Sequence, residues 1–425
     1  MFQGWAEFGS TRFTRIDTAI NFGEVTFNGR ARFSEAAFNG TVSFLRATFE
    51  QEARFRDAKF QAVDFGSATF KGTVQLGLLT SAGDVILDDA SFERHGQITV
   101  RAARLSCMRS RFPAGGHLRI IKADLSLEEA DISGPLIVAG HAELPEDLKP
   151  PNVRPNALSA TGGSEAQPVL YSLRRANVAG LVLTDVSLRN CRFEGAQNLD
   201  LLRIEGGDFT DAPSRLPWDL RRVIAEEATW RGVGYGWRPQ PWPESWLISK
   251  PTRLPALQIA AIYRALRKGK EDTKDEPGAT DFYYGEMEMR RRATKRNSEP
   301  GQSSSYTPFV ERMILHAYWL VSGYGLRAWR ALTAVLLALV LFAYLFTHGG
   351  FAMDKAHCER PPTGTRCYDS FEDALIFGAR TAVGLPTDPR PVLTTLGNVE
   401  QIGLRILVPV LLGLALLAIR ARVKR

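Results

Sequence analysis

The chain has 425 residues, room for two or three domains. Hydrophobic residues at 44% against charged residues at 23% exclude wholesale disorder, and four cysteines are too few for a disulfide-stapled secreted scaffold. Lys plus Arg outnumber Asp plus Glu by 53 to 46, a net +7 that permits an anionic membrane surface or nucleic acid without requiring either.

From the amino terminus onward the governing signal is a repeat. Phenylalanine recurs as Phe22, Phe27, Phe33, Phe38, Phe44, Phe49, Phe55, Phe60, Phe65 and Phe70, with Leu76 next. Steps of five or six residues match neither the helical period of 3.6 nor the strand period of two. Two positions before each stands a small or β-branched residue: Ile20, Val25, Ala31, Ala36, Val42, Ala47, Ala53, Ala58, Val63, Ala68 and Val74. Alternate residues of an extended segment share a face, so both members of each pair point inward if every five-residue unit makes one short side and a corner. Four sides close a coil, and coils stack at roughly 4.8 Å. The large residues then form an interior ladder that no coil buries alone.

This run resembles the pentapeptide-repeat family, whose units read small-x-large-x-x. The resemblance implies a right-handed quadrilateral β-helix, a pentapeptide-repeat solenoid, over residues 1–210. The pattern is degenerate over 77–119, fits again at Ala123/Leu125 and Ala130/Ile132, and returns at Ala176/Val178, Leu181/Leu183, Val186/Leu188 and Cys191/Phe193. Pro145, Pro150, Pro151 and Pro155 with the stretch Ala160–Ser164 mark a loop insertion at 141–169. Some members of the family imitate DNA with an acidic surface. Residues 1–140 hold 16 Asp plus Glu and 16 Lys plus Arg, so DNA mimicry is not expected and a spacer or protein-binding rod is.

Residues 211–253, rich in Pro and Trp, read as a cap on the open end of the solenoid. Over 254–298, Ile259, Ile262, Tyr263 and Leu266 recur at helical spacing; Pro277-Gly278 breaks the run, and a second helix carries Phe282, Tyr283, Glu286 and Met289. Together they make a cytosolic αα-hairpin. The basic run Arg290, Arg291, Arg292, Lys295 and Arg296 suits either solvent or anionic lipid headgroups.

The remainder, 299–425, reads as a membrane domain. A first span covers about 329–347 and a second about 401–419, the lengths a bilayer requires. Tyr318, Trp319, Tyr324 and Trp329 precede the first at headgroup level. Arg327 and Arg330 before the first span, and Arg420, Arg422, Lys424 and Arg425 after the second, place both termini in the cytoplasm. The loop outside holds Cys358 and Cys367, a candidate disulfide on the oxidising side. Cys107 and Cys191 are expected as small inward residues in the reducing cytosol. No metal site, cofactor site or catalytic set is recognised, and no enzyme is expected.

Between the spans, Ser370 caps a helix too short to cross a bilayer, with Glu372 and Asp373 in its first turn. The order span, short re-entrant segment at 371–385, Thr-x-x-Gly, span resembles the two-span pore module of potassium-type channels. Thr381, Ala382, Val383 and Gly384 match the first half of that family's filter; Leu385 and Pro386 stand where an aromatic and a second glycine belong. The resemblance implies a tetramer, with Asp388 forming acids at an outer mouth. Arg380 and Arg405 are charges inside membrane segments and thus functional candidates, expected either to repel cations or to pair with Asp388, Asp373 or Glu400. Arg405 near the start of its span also has the option of reaching the outer interface. Two functions are open: an oligomeric, ion-channel-like pore regulated by the cytosolic solenoid through an unknown protein or ligand, or a membrane-tethered scaffold with a vestigial pore module.

Overall fold

A computed structural model describes residues 1–14, 19–140, 167–212, 221–232, 253–294, 306–351, 370–386 and 393–423. They form two compact units, one running to Met289 and the other built from Arg290–Lys295 and Tyr306–Arg425.

In the first unit the five-residue spacing produces a β-solenoid of about 8 turns. Short strands stack in parallel, and one side can be followed through Ala6, Ala31, Ala53, Val74, Gly96, Gly116, Leu136 and Leu181. The steps from Gly96 to Gly116 and on to Leu136 correspond to four five-residue units. Inside, the phenylalanines stack ring on ring. Phe27, Phe49, Phe70, Phe92 and Phe112 form one column with centroids 4.9 Å apart. Phe33 stacks on Phe55 at 4.9 Å and Phe44 on Phe65 at 5.0 Å. The column spacing follows from the strand spacing, because every ring hangs from an equivalent position of a parallel ladder.

The degenerate stretch 77–119 continues the solenoid without interruption. Strands Val74–Ser81, Gly96–Ser106 and Gly116–Ser126 are unusually long, with register shifts that absorb the irregular spacing. Leu87, Phe92, Leu105, Cys107 and Phe112 occupy the interior there. Cys107 and Cys191 are both fully buried, and burial pushes their thiols well above the ordinary range.

One corner of successive coils is turned by a non-glycine residue in the left-handed region: Glu24, Arg46, Ser67, Asp89, Arg109, Glu129 and Arg175, with φ between 53° and 59°. Such residues strain the backbone. Each is held by its own N–H, which donates to a carbonyl of the next coil, as from Glu24 to Leu45 and from Arg109 to Glu128. Opposite charges alternate up this corner, with Arg46–Glu24 at 3.3 Å, Arg109–Asp89 at 2.7 Å and Arg175–Glu129 at 2.7 Å. Exposed pairs of this kind contribute little each, so the backbone bonds dominate.

Helices close the last coils. Thr210–Asp211 pairs antiparallel with Arg222–Val223, and α1 (Ala225–Arg231) follows. Helices α2 (Ala256–Asp272) and α3 (Glu276–Arg292) form the hairpin. Lys270 Nζ donates to the Ile204 carbonyl at 2.9 Å, Lys268 pairs with Asp200 at 2.7 Å, and Phe282 meets Phe209 edge-on at 5.2 Å. Part of the covering thus comes from the hairpin, which satisfies coil groups that no further strand pairs. The break between the two helices falls at Thr273–Asp275. Pro277 lies in the first turn of α3, where its missing N–H costs nothing, and Asp275 caps that turn through the Gly278 N–H at 3.0 Å. Of the Pro/Trp-rich stretch, 213–220 and 233–252 lie outside the described residues, as does most of the insertion, 141–166.

The buried acids of α1 do different work. Glu227 is fully enclosed; burial alone would push it up, but Arg221 and Arg231 hold it below the usual range, and the Tyr263 hydroxyl donates to it at 2.6 Å. Glu226 accepts the Phe193 N–H, taking the place of a next-coil carbonyl, while its second oxygen has no partner among the described residues. Burial pushes Glu226 up to about 7. The folded state therefore holds this proton more tightly than the unfolded chain, whose carboxyl titrates near 4.5. Its contribution to stability is greatest below about pH 4.5 and is lost as pH rises toward about 7, a span of about 3 kcal/mol. Glu226→Gln imitates the protonated acid. Thermal unfolding of the full chain, followed by β-sheet circular dichroism, should coincide with wild type at or below about pH 4 and exceed it increasingly up to pH 8. Parallel pH profiles for the two proteins would contradict this assignment.

Candidate functional site

Among the described residues, the second unit is built on four helices. These are α4 (Phe309–Ser322), α5 (Ala328–Leu345, extended by a π-helical turn at Phe346–Gly350), α6 (Phe371–Val383) and α7 (Thr395–Val423). Among the described residues, two stretches are long and apolar enough to cross a membrane: Ala328–Gly350, 23 residues, and Thr395–Arg420, 26 residues. Each extends beyond the boundaries legible from apolar runs, because helical backbone continues through Gly349-Gly350 at one end and Thr395–Glu400 at the other. Pro409 sits inside α7.

The two long helices meet at one end through glycine. A Cβ on Gly397 would lie 2.1 Å from the Gly350 carbonyl oxygen, so the backbones touch there. Thr394 ties the same corner, its N–H donating to the Gly350 carbonyl at 2.9 Å and its hydroxyl to the Gly349 carbonyl at 2.7 Å. Phe351 and Leu393 add one antiparallel bridge.

Helix α6 begins as its sequence requires. The Ser370 hydroxyl accepts from the Glu372 N–H at 3.1 Å, and Glu372 and Asp373 face the positive end of the helix. Its inner face carries Ala374, Phe377, Gly378, Thr381 and Ala382, all buried. Phe377 meets Phe346 edge-on at 5.2 Å and Phe351 at 5.6 Å. Those rings join Ala338, Ala343, Leu404, Val408 and Leu411 in one cluster, so α6 packs against both α5 and α7. Gly378 lets Leu404 approach, with Leu404 Cδ2 at 3.6 Å from where a Cβ would stand.

The Thr-x-x-Gly motif is distributed over that packing. Thr381, Ala382 and Val383 form the last helical turn, and Gly384 ends it at φ +74. Its N–H donates to the Thr381 carbonyl and that of Leu385 to the Arg380 carbonyl. Thr381 and Ala382 are buried, Val383 and Gly384 exposed. Thr381 Oγ1 has no partner among the described residues although the side chain is 1% exposed. Glu400 likewise keeps an unpartnered Oε2 beside Gly350.

Arg380 and Arg405 both lie on the outside of the helices, exposed. Neither forms an ion pair among the described residues, with Asp373 or Glu400 included, so the structure does not bring these expected partners together. Arg405 stands amid the exposed apolar residues Ile402, Ile406 and Leu407. Asp388, Cys358 and Cys367 lie outside the described residues. Among the described residues no group of His, Cys, Asp and Glu is arranged to hold a metal.

The outer surface of the unit is the feature that spacing alone did not reveal. Leu332, Leu336, Leu337, Val340, Leu341 and Tyr344 on α5 are exposed, as are Leu396, Val399, Ile402, Ile406, Val410, Leu416 and Leu417 on α7. An apolar exterior around an apolar interior inverts the ordinary economy of a water-facing protein.

A family profile described as pentapeptide repeats (9 copies) matches residues 8–59 and 33–78. The first coils thus carry pentapeptide repeats on both sequence and fold. No curated protein and no solved structure matches the chain.

Proposed function

We propose that the second unit inserts into a membrane through α5 and α7 and that copies of the chain assemble there into an ion-channel-like pore, regulated by the solenoid on the cytosolic side. The carrying observation is Arg405. It lies on an exposed face of an otherwise apolar helix, five residues beyond Glu400, which at 1.5 Å per residue is roughly 7 Å deeper. An arginine at such depth needs a protein neighbour or water, because lipid offers neither a counter-charge nor a hydrogen bond. Among the described residues a single copy gives it no ion pair, leaving only a reach to the outer interface; a ring of copies around an aqueous path supplies both. Arg380, exposed at the last turns of α6, adds a second charge to the same unit, and α6 packed between the two long helices supports a half-helix held at membrane depth by protein. The basic flanks support cytoplasmic termini, and the resemblance to two-span channels supports four copies.

The second reading, a membrane-tethered scaffold with a non-conducting module, draws on one specific observation. Thr381–Val383 close a helical turn and Pro386 follows, so their carbonyls bond within the helix or face its end instead of lining an extended filter.

Purified chain reconstituted in planar bilayers separates the readings. The pore reading expects unitary conductance and an oligomeric detergent particle, with Arg405→Leu changing conductance several-fold at equal protein incorporation. Silent bilayers together with a monomeric particle would remove the pore and leave the scaffold.

A further inference from the structure

We infer that α4 lies flat in the headgroup layer of an anionic membrane leaflet, as an amphipathic helix that rests on lipid and does not cross it. The inference rests on the membrane reading of α5 and α7, but it concerns a different helix and a different surface.

With 14 residues, α4 spans roughly 21 Å, short of the ~30 Å hydrocarbon core. One face nevertheless exposes Phe309, Val310, Met313, Ile314, Ala317 and Leu320. At 100° per residue these six fall within an arc of roughly 140° that contains no polar residue. The opposite face, with Leu315 and Ser322, is buried against its own unit. Water is a poor neighbour for the exposed arc, and a spanning geometry is excluded by length. An apolar stripe of this width bordered by cations is the pattern of a helix lying in the interface.

Charge selects the occupant. The described residues 290–294 and 306–330 contain six arginines (Arg290, Arg291, Arg292, Arg312, Arg327, Arg330) and a single acid, Glu311. Glu311 is already engaged by Arg290. Arg312 and His316 stand at one border of the apolar arc. Trp319 is held between two guanidinium groups, with Arg291 at 4.4 Å and Arg330 at 4.9 Å from its ring centroid. Arg330 Nη1 also donates to the Trp319 carbonyl at 3.1 Å, and Arg291 Nε to the Tyr324 hydroxyl at 2.9 Å. This locks an aromatic residue and a positive surface at one level.

Continuity fixes that level. Gly323, left-handed at φ +55, ends α4, and only Tyr324–Arg327 separate it from the start of α5. The helix is thereby kept beside the basic end of the first span. A phospholipid with a net negative headgroup meets both halves of the surface: phosphate at Arg312 and Arg330, acyl chain at the apolar arc.

The test uses the full chain with Cys358→Ala and Cys367→Ala, in which the buried Cys107 and Cys191 stay unlabelled. Ile314→Cys carries an environment-sensitive fluorophore, and a second protein carries it at Leu337→Cys on α5. Both are reconstituted in phosphatidylcholine vesicles with and without phosphatidylglycerol. The label at 314 should be quenched by a lipid nitroxide near the glycerol end of the acyl chain more than by one at its terminus, and more strongly in the anionic vesicles. Arg312→Gln with Arg330→Gln should reduce that preference, roughly five-fold per arginine in the bound-to-free ratio. If 337 is quenched and 314 is not, the interfacial helix is wrong while membrane insertion stands. Disulfide cross-linking between copies through position 314, without quenching, overturns the proposal in favour of a second copy covering the arc. Absence of quenching at both sites removes the membrane reading on which it rests.

Discussion

Replacing Phe49 by alanine should cost the folded chain about 4 kcal/mol, among the largest losses of any single side chain in the solenoid. Phe49 is 1% exposed and is stacked on both sides, with Phe27 and Phe70 each 4.9 Å away. The rings above and below cannot fall into the vacated space. Their backbones are pinned by parallel pairing of Thr26 with Thr48 and Thr48 with Thr69, so the cavity persists and its lining loses dispersion contacts outright. Phe49→Leu should cost only about 1 kcal/mol, since leucine already serves at equivalent inward positions such as Leu76 and Leu118. Phe2, in the first described coil and 38% exposed, should tolerate alanine far better than Phe49. Equilibrium denaturation of the full chain followed by circular dichroism measures all three. Equal costs at Phe2 and Phe49 would mean that the stacked interior is not what holds the coils.

Gly397→Val should separate α5 from α7 at their joined end. A Cβ there meets the Gly350 oxygen at 2.1 Å, its carbonyl carbon at 2.8 Å and its Cα at 3.0 Å. All three are backbone atoms, so no side-chain rotation relieves the clash. Separation also removes the Thr394 bonds to Gly349 and Gly350. The expected loss is about 3 kcal/mol or more, at the upper end of overpacking costs. Gly413 is the matched control: nothing lies within 4 Å of its would-be Cβ, and Gly413→Ala should be neutral or slightly stabilising within its helix. Thermal stability of the detergent-solubilised protein, with protease sensitivity near residue 350, reads the difference. Under the pore reading the valine variant should also fail to conduct, whereas unchanged stability would show that this glycine contact is not made.

Much of this was present in the residue order. Inward positions repeat every five residues because each coil side is local, and a local rule leaves a local trace. The Ser370 cap is readable for the same reason: donor and acceptor lie two residues apart. Stretch 77–119 was opaque because there the large residues are leucine, isoleucine and cysteine as well as phenylalanine, and register shifts move them off the five-residue grid. Pro277 looked like a helix break, yet in the first turn it begins one. For α4, aromatic and basic residues signalled a headgroup neighbourhood, but the unpartnered apolar face became visible only once its opposite face was seen to be covered.

Residue order by itself therefore determined the solenoid, the two long apolar helices and the capped short helix between them, since each depends on neighbours a few residues apart. Tertiary structure alone decided that the αα-hairpin satisfies groups of the last coils and that Gly397 lets two backbones meet. It also decided that Arg380 and Arg405 face outward, with no ion pair to Asp373 or Glu400 among the described residues. These outcomes depend on which faces meet across long stretches of chain, and that choice is made by packing complementarity, which no spacing rule records.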